Sequence, residues 1–69
     1  MIKDKNGNAI MLDFPARAQI EFKLVVSGKI SEVHPIGSVI KREDGECFRC
    51  PNRIIEIDQE KAKKWPFIN

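Results

Sequence analysis

An alternation of apolar and polar residues between positions 18 and 26 most constrains the fold of this chain. Five apolar side chains fall in phase on one face of an extended segment: Ala18, Ile20, Phe22, Leu24 and Val26. Polar side chains fill three of the positions between them: Gln19, Glu21 and Lys23. A period of two is that of a strand with one buried face, so the pattern predicts one half-buried antiparallel strand over 18–26.

Turn signals divide the rest of the chain into further short strands. The dipeptides Asn6-Gly7 and Asp44-Gly45 tolerate positive φ and predict tight hairpins. Turns are also predicted at Ser27-Gly28 and between Pro35 and Gly37. Ile30 and Val33 are out of phase by one residue, which predicts a bulge or a strand end between them. The strands predicted beside 18–26 are 2–5, 9–13, 29–34, 38–43, 46–50 and 53–57.

A short helix is predicted after the last strand, from Gln59 to Trp65. Asp58 is a good N-cap residue, and Glu60 suits the positive end of the helix dipole. Pro66 prevents much continuation. A helix of this length is not stable alone, so we expect it to dock on the sheet or fray.

The composition supports strands over helices. Ten of the 69 residues are Ile and four are Val, and side chains branched at Cβ pack well on a pleated surface. The predicted fold is mainly β, as one small domain over 1–69. We expect a small, strongly bent antiparallel sheet or barrel of five to seven short strands with one short C-terminal helix.

Several functional classes are disfavoured by the same sequence. No apolar run approaches the roughly 18 residues of a membrane span, so no membrane partner is expected. The polar start and the two Cys residues predict a reducing, cytoplasmic location. Neither a phosphate-binding loop nor a nucleophile–base pair is recognisable. We therefore expect no enzyme, no cofactor and no small-molecule substrate.

A C-x-x-C motif at Cys47 and Cys50 makes a zinc module one hypothesis. Two thiolates at this spacing form half of many zinc sites, and His34 is a possible third ligand. If the segment is an extended strand, however, the two sulfurs point to opposite faces. Two small apolar side chains in a strand are then the simpler interpretation.

Basic residues around Phe48 make a nucleic-acid-binding small β-barrel the alternative function. The candidate phosphate contacts are Lys41, Arg42, Arg49 and Arg53. Acidic residues interleave with these cations, and the net charge is only +2, so a solvated face of mixed charge is the simpler interpretation.

An apolar run at the C-terminus favours protein binding, which is the function that we predict for this chain. Trp65, Phe67 and Ile68 resemble buried interface anchors, with Phe48 as a weaker member. A tail that folds back to plug the barrel is the alternative. The predicted function is a non-catalytic protein-interaction module: an accessory, adaptor or inhibitor of a larger protein, or a self-associating subunit.

Overall fold

The computed structural model describes residues 1–64, which form one antiparallel sheet of five strands. The strands are β1 (Pro15–Glu21), β2 (Leu24–Glu32), β3 (Gly37–Lys41), β4 (Cys47–Pro51) and β5 (Ile55–Ile57). A 3-10 helix (Asn52–Ile54) joins β4 to β5, and one short helix, α1 (Gln59–Ala62), follows. The strand order across the sheet is β4-β3-β2-β1-β5. The predicted mainly β class is confirmed.

The short link between β4 and β5 forces the sheet to bend. These two strands form opposite edges of the sheet, and neighbouring strands are about 4.8 Å apart, so a flat sheet would separate them by about 19 Å. The four steps from Pro51 to Ile55 reach at most about 14 Å. The sheet is therefore strongly curved. It is not closed into a barrel, because β4 and β5 do not pair within residues 1–64.

The concave side of the sheet holds the core. Ile30, Ile40 and Ile55 are fully buried there, each from a different strand. The complete cluster comprises Ile10, Ala16, Ala18, Val26, Ile30, Ile40, Cys50, Ile55 and Ile57. Stiff Ile side chains supply most of its volume, which agrees with the composition.

Gly28 lies where the backbone of β3 comes very close to β2. It lies in the middle of β2, and a Cβ built on it would come within 2.1 Å of the carbonyl oxygen of Lys41. Only glycine allows β3 to approach β2 this closely. The predicted turn at Ser27-Gly28 is therefore wrong, because this glycine serves a close approach and not a reversal.

The single strand predicted over 18–26 is also wrong, because the chain reverses in its middle. Phe22 and Lys23 form the turn, and Ala18 of β1 pairs with Val26 of β2. The buried residues keep even numbers on both sides of the turn, because the register shifts by one residue between Gln19 and Glu21. Period-two spacing alone could not reveal this hairpin.

Other predicted turns and irregularities are present. Gly45 has a φ of 90°, and β3 pairs with β4 around the Asp44-Gly45 turn. The register of β2 against β3 shifts between Ile30 and Glu32, as the phase change predicted. The hairpin around Asn6-Gly7 is reduced to one bridge between Lys3 and Ala9.

The last strand and the helix that follows it are both shorter than predicted. Residues 52–54 form the 3-10 helix, so only 55–57 remain of the strand predicted over 53–57. Asp58 caps α1 by accepting a hydrogen bond from the Lys61 amide at 3.2 Å. The helix ends at Ala62 and not at Trp65. No helix within residues 1–64 has the length and apolar character needed to cross a membrane.

Candidate protein-binding surfaces

The β5 edge of the sheet is covered by the N-terminal segment that contains Asp4 and Lys5. The Asp4 carboxylate accepts hydrogen bonds from the amides of Ile57, Asn6 and Asn8, each at 2.8 Å. The Lys5 amide donates to the Ile55 carbonyl at 3.0 Å. Burial acts to raise the pKa of Asp4, but these three amides outweigh it and hold the pKa below its usual value. This edge is closed to further strands.

The β4 edge is open. Arg42 donates to the Glu46 carbonyl at 2.8 Å, which makes these two residues a hydrogen-bonded pair. Bonded and non-bonded pairs alternate along antiparallel strands, so the backbone groups of Cys47 and Arg49 point away from β3. No strand within residues 1–64 lies on that side. Two N–H and two C=O groups therefore face outward.

The β1–β2 hairpin projects beyond its neighbours. β5 pairs with β1 only from Ala16 to Ala18, and β3 pairs with β2 only from Lys29 onward. The residues from 19 to 25 consequently have no neighbouring strand on either side among residues 1–64. The end of this hairpin stands free of the sheet.

Four large apolar side chains crowd this projecting end, which we call the hairpin tip. They are Phe22, Val25, Leu24 and Ile20, with 88%, 57%, 39% and 37% of their surfaces exposed. Leu24 continues the core-facing side of β2 and Val25 lies on the opposite side, whereas Ile20 lies at the irregularity where the register of β1 shifts between Gln19 and Glu21. Several large exposed apolar side chains at one end of a domain are typical of an interaction surface.

The composition of the turn itself is unusual. Two-residue hairpin turns favour Gly, Asn or Asp with positive φ, but Phe22 and Lys23 both keep negative φ. The Gln19 side chain donates to the Phe22 carbonyl at 3.0 Å and so fastens the turn from outside. Local turn chemistry does not explain a phenylalanine here, and neither does core packing.

A buried polar network holds the loop between β2 and β3. The Asn52 amide group donates to the carbonyls of His34 and Pro35, at 2.8 and 3.2 Å, and its oxygen accepts from Ser38 at 2.7 Å. This network places Ile36 on the surface, 82% exposed. Ile36, Pro35 and Pro51 form a shallow apolar shelf beside Arg49 and His34.

The three predicted zinc ligands do not come together. Cys47 is exposed and Cys50 is fully buried, because they are three residues apart in β4 and point to opposite faces. His34 instead contacts the Glu32 carboxylate at 2.9 Å. The zinc hypothesis required Cys47, Cys50 and His34 at one ion, and the extended strand prevents this. Residues 1–64 contain no group of three or more metal-ligating side chains.

The predicted phosphate contacts are divided among different surroundings. Arg42 pairs with Asp44 at 3.2 Å and Glu46 at 3.8 Å, and its guanidinium lies 5.9 Å from the centre of the Phe48 ring. Lys41 and Arg49 share the outer face of the sheet, whereas Arg53 lies in the 3-10 helix. Of the four cations, only Lys41 and Arg49 thus share one face and have no acidic partner among residues 1–64.

The predicted protein-binding residues fall mostly outside the described chain. Trp65, Phe67 and Ile68 lie beyond residue 64. Phe48 is half-buried and packs against the core, away from the hairpin tip. Sequence reasoning missed the tip because it placed Ile20, Phe22 and Leu24 on the buried face of one continuous strand.

Comparison with known proteins identifies no relative of this chain. No protein-family model, no curated protein and no solved structure matches this chain. The two open surfaces, the hairpin tip and the β4 edge, therefore carry the functional interpretation.

Proposed function

We propose that this chain is a non-catalytic protein-interaction module that docks through its hairpin tip onto a larger protein. It would act there as an accessory, adaptor or inhibitor. The single observation that carries this proposal is Phe22, which is 88% exposed at the end of a projecting hairpin. Three further exposed apolar side chains lie near it in the hairpin, on both of its faces, and none of the four belongs to the core cluster.

The tip has the layout of a small interface. Phe22 is an aromatic anchor, and complete burial of such a side chain gains roughly 1.5–3 kcal/mol. Leu24 adds exposed apolar area on one face of the hairpin and Val25 on the other, with Ile20 exposed beside them. Glu21 and Lys23 stand beside the anchor as a polar rim of balanced charge. A partner with an apolar pocket and no strong charge fits this surface.

Native mass spectrometry of the protein purified from its own cells tests the proposal. We expect one bound protein at a fixed stoichiometry, lost with Phe22→Ser and retained with Leu12→Ser. Leu12 is a matched control because it is also more than half exposed but lies on a different loop. Both variants should unfold at the same denaturant concentration as the unchanged protein.

Other outcomes of this measurement contradict the proposal. A complex that survives Phe22→Ser means that the tip is not the docking surface. A tip-dependent complex with a second copy of the chain replaces the larger partner by self-association. A loss of stability in Phe22→Ser means that the tip belongs to the fold and not to an interface.

The tail residues and the cytoplasmic location stay part of the proposal. Trp65, Phe67 and Ile68 are predicted secondary anchors, and Trp65→Ala tests them in the same measurement. Free Cys47 and Cys50 suit a reducing compartment.

Nucleic-acid binding is the second candidate function. It is favoured by one observation: Lys41 and Arg49 share the outer face of the sheet without an acidic partner among residues 1–64, so an anionic ligand could contact both. The measurement is binding of a labelled single strand as a function of salt concentration. Affinity that falls steeply with salt and drops in Lys41→Glu supports it. Absence of binding at low salt removes it.

A further inference from the structure

We infer that β4 is a second docking site, whose open edge takes up an extended, acidic peptide segment of another protein as an added strand. The hairpin tip plays no part in this inference, so it stands or falls independently of the proposed function. It rests on the backbone groups, charge and shape of the β4 edge.

The backbone of β4 is arranged to accept a strand. Cys47 and Arg49 each direct an N–H and a C=O group outward, two residues apart, which is the spacing that an added strand bonds. The other edge of the sheet makes a useful contrast. There the chain supplies the Asp4 carboxylate and the Lys5 amide to the outward groups of β5. Comparable cover for Cys47 and Arg49 is missing within residues 1–64.

The side chain of Arg49 decides which strand can bind. It is exposed on the outer face, and its only polar contact among the described residues is a long one of 3.5 Å to the Gly37 carbonyl. Arg17 and Arg42, by contrast, have carboxylate partners. Lys41 adds a second positive charge to the same face. A carboxylate opposite Arg49 on the incoming strand would form a cross-strand pair of opposite charge.

The same charge argues against a second copy of this chain as the occupant. Antiparallel pairing of two β4 edges would bring Arg49 of each copy close to its equivalent, with no acidic residue in β4 to compensate. Pro51 also removes a donor from the end of the strand. Pro51 shortens the edge for any added strand, whereas the charge of Arg49 opposes pairing of like edges and leaves a short acidic segment as the matching partner.

The apolar shelf beside Arg49 supplies a second contact. Ile36 is almost fully exposed there, next to Pro35 and Pro51. An added strand that places a carboxylate at Arg49 brings its adjoining residues toward this shelf. We therefore expect an apolar residue near the acidic one in the bound segment.

Two blocked heptapeptides of valine and threonine test this inference, one with a central glutamate and one with a central lysine. Each is titrated into the isotope-labelled protein, and the amide signals are followed by nuclear magnetic resonance. We expect the glutamate peptide to shift the amides of Cys47 and Arg49 and to slow their exchange with solvent. It should bind about five- to tenfold more tightly than the lysine peptide, as a change from like to opposite charge implies.

Charge reversal makes the test specific. Arg49→Glu should invert the preference, so that the lysine peptide binds more tightly. Arg53→Glu, the same charge change in the 3-10 helix outside the edge, should leave the preference for glutamate unchanged. Phe22→Ser should bind both peptides as the unchanged protein does, which separates this site from the hairpin tip.

Three results would overturn the inference. The first is the absence of shifts at Cys47 and Arg49 up to millimolar peptide. The second is equal affinity for the two peptides. The third is a set of shifts centred on the hairpin tip, which would place the peptide on the other surface.

Discussion

The Asp4 carboxylate accepts a hydrogen bond from the backbone amide of Ile57, which lies 53 residues further along the chain. The Asp4 side chain thus supplies the acceptor that a neighbouring strand would otherwise provide. It satisfies the outward amide of β5 and at the same time closes its own loop through Asn6 and Asn8. The stability of this edge should consequently depend on the charge of one residue.

Replacement of Asp4 is expected to destabilise the protein in a pH-dependent way. Asp4→Ala removes three hydrogen bonds to a buried carboxylate and should lower the free energy of unfolding by about 2–3 kcal/mol at pH 7. The pKa of Asp4 is lowered in the folded state, so this stabilisation is complete above the usual value of 3.8 and is lost as the pH falls through the lowered pKa. Urea unfolding from neutral to strongly acidic pH measures the difference. Glu43→Ala, at an exposed acid, is the control, and a pH-independent difference would contradict the prediction.

Substitution of Gly28 is expected to disrupt the close approach of β3 to β2. In Gly28→Ala the new Cβ would collide with the Lys41 carbonyl oxygen, a backbone atom that cannot rotate away. We expect a loss of about 3 kcal/mol or failure to fold. Chemical denaturation of Gly28→Ala beside Ser27→Ala, its exposed neighbour, measures the effect. Equal stability of the two variants would show that β2 and β3 can separate at this point.

The buried amide of Asn52 is expected to hold the β2–β3 loop in place. Asn52→Asp replaces the donor group by an oxygen that faces the carbonyls of His34 and Pro35, so it should cost more than Asn52→Ala. We expect about 2–3 kcal/mol for the alanine variant, because the Ser38 hydroxyl loses its acceptor as well. Thermal unfolding compared with Arg53→Ala measures the difference. A loss below about 0.5 kcal/mol would mean that water replaces the amide.

The two cysteines should differ sharply in reactivity. Burial raises the pKa of the Cys50 thiol and removes it from solvent, whereas Cys47 is exposed. An alkylating reagent followed by mass spectrometry should modify Cys47 first, with Cys50 at least about 100-fold slower because it requires opening of the core. Both should react equally in denaturant. Fast modification of Cys50 in the folded protein would contradict its placement in the core.

Sequence alone predicted the features whose causes are local. The Asp44-Gly45 turn depends on the left-handed conformation of Gly45, and the cap of α1 depends on the side chain of Asp58. The register shift in β2 was visible as a change of phase between neighbouring apolar residues. Each of these signals lies within a few residues of the structure that it specifies.

The features that sequence could not predict depend on distant contacts. Phe22 gives no turn signal, and even-numbered apolar residues continue on both sides of it, so the reversal there is decided by the pairing of β1 with β2. The need for glycine at position 28 comes from the Lys41 carbonyl oxygen, which is distant in the sequence but close in the fold. Which strand forms the open edge is likewise a property of the strand order, so the sequence marked Arg49 only as one of four candidate phosphate contacts.

The position of β5 beside β1, the first strand of the sheet, also has a consequence for biosynthesis. A nascent chain can form β1, β2, β3 and β4 in order, each beside its predecessor, but β5 must return to β1 on the far edge. Ile55 and Ile57 then complete the core, and Asp4 finds its partner in the same step. Until residue 57 has left the ribosome, the inner face of the sheet stays incompletely covered. The translating chain therefore passes through a stage at which chaperones and proteases can reach its core.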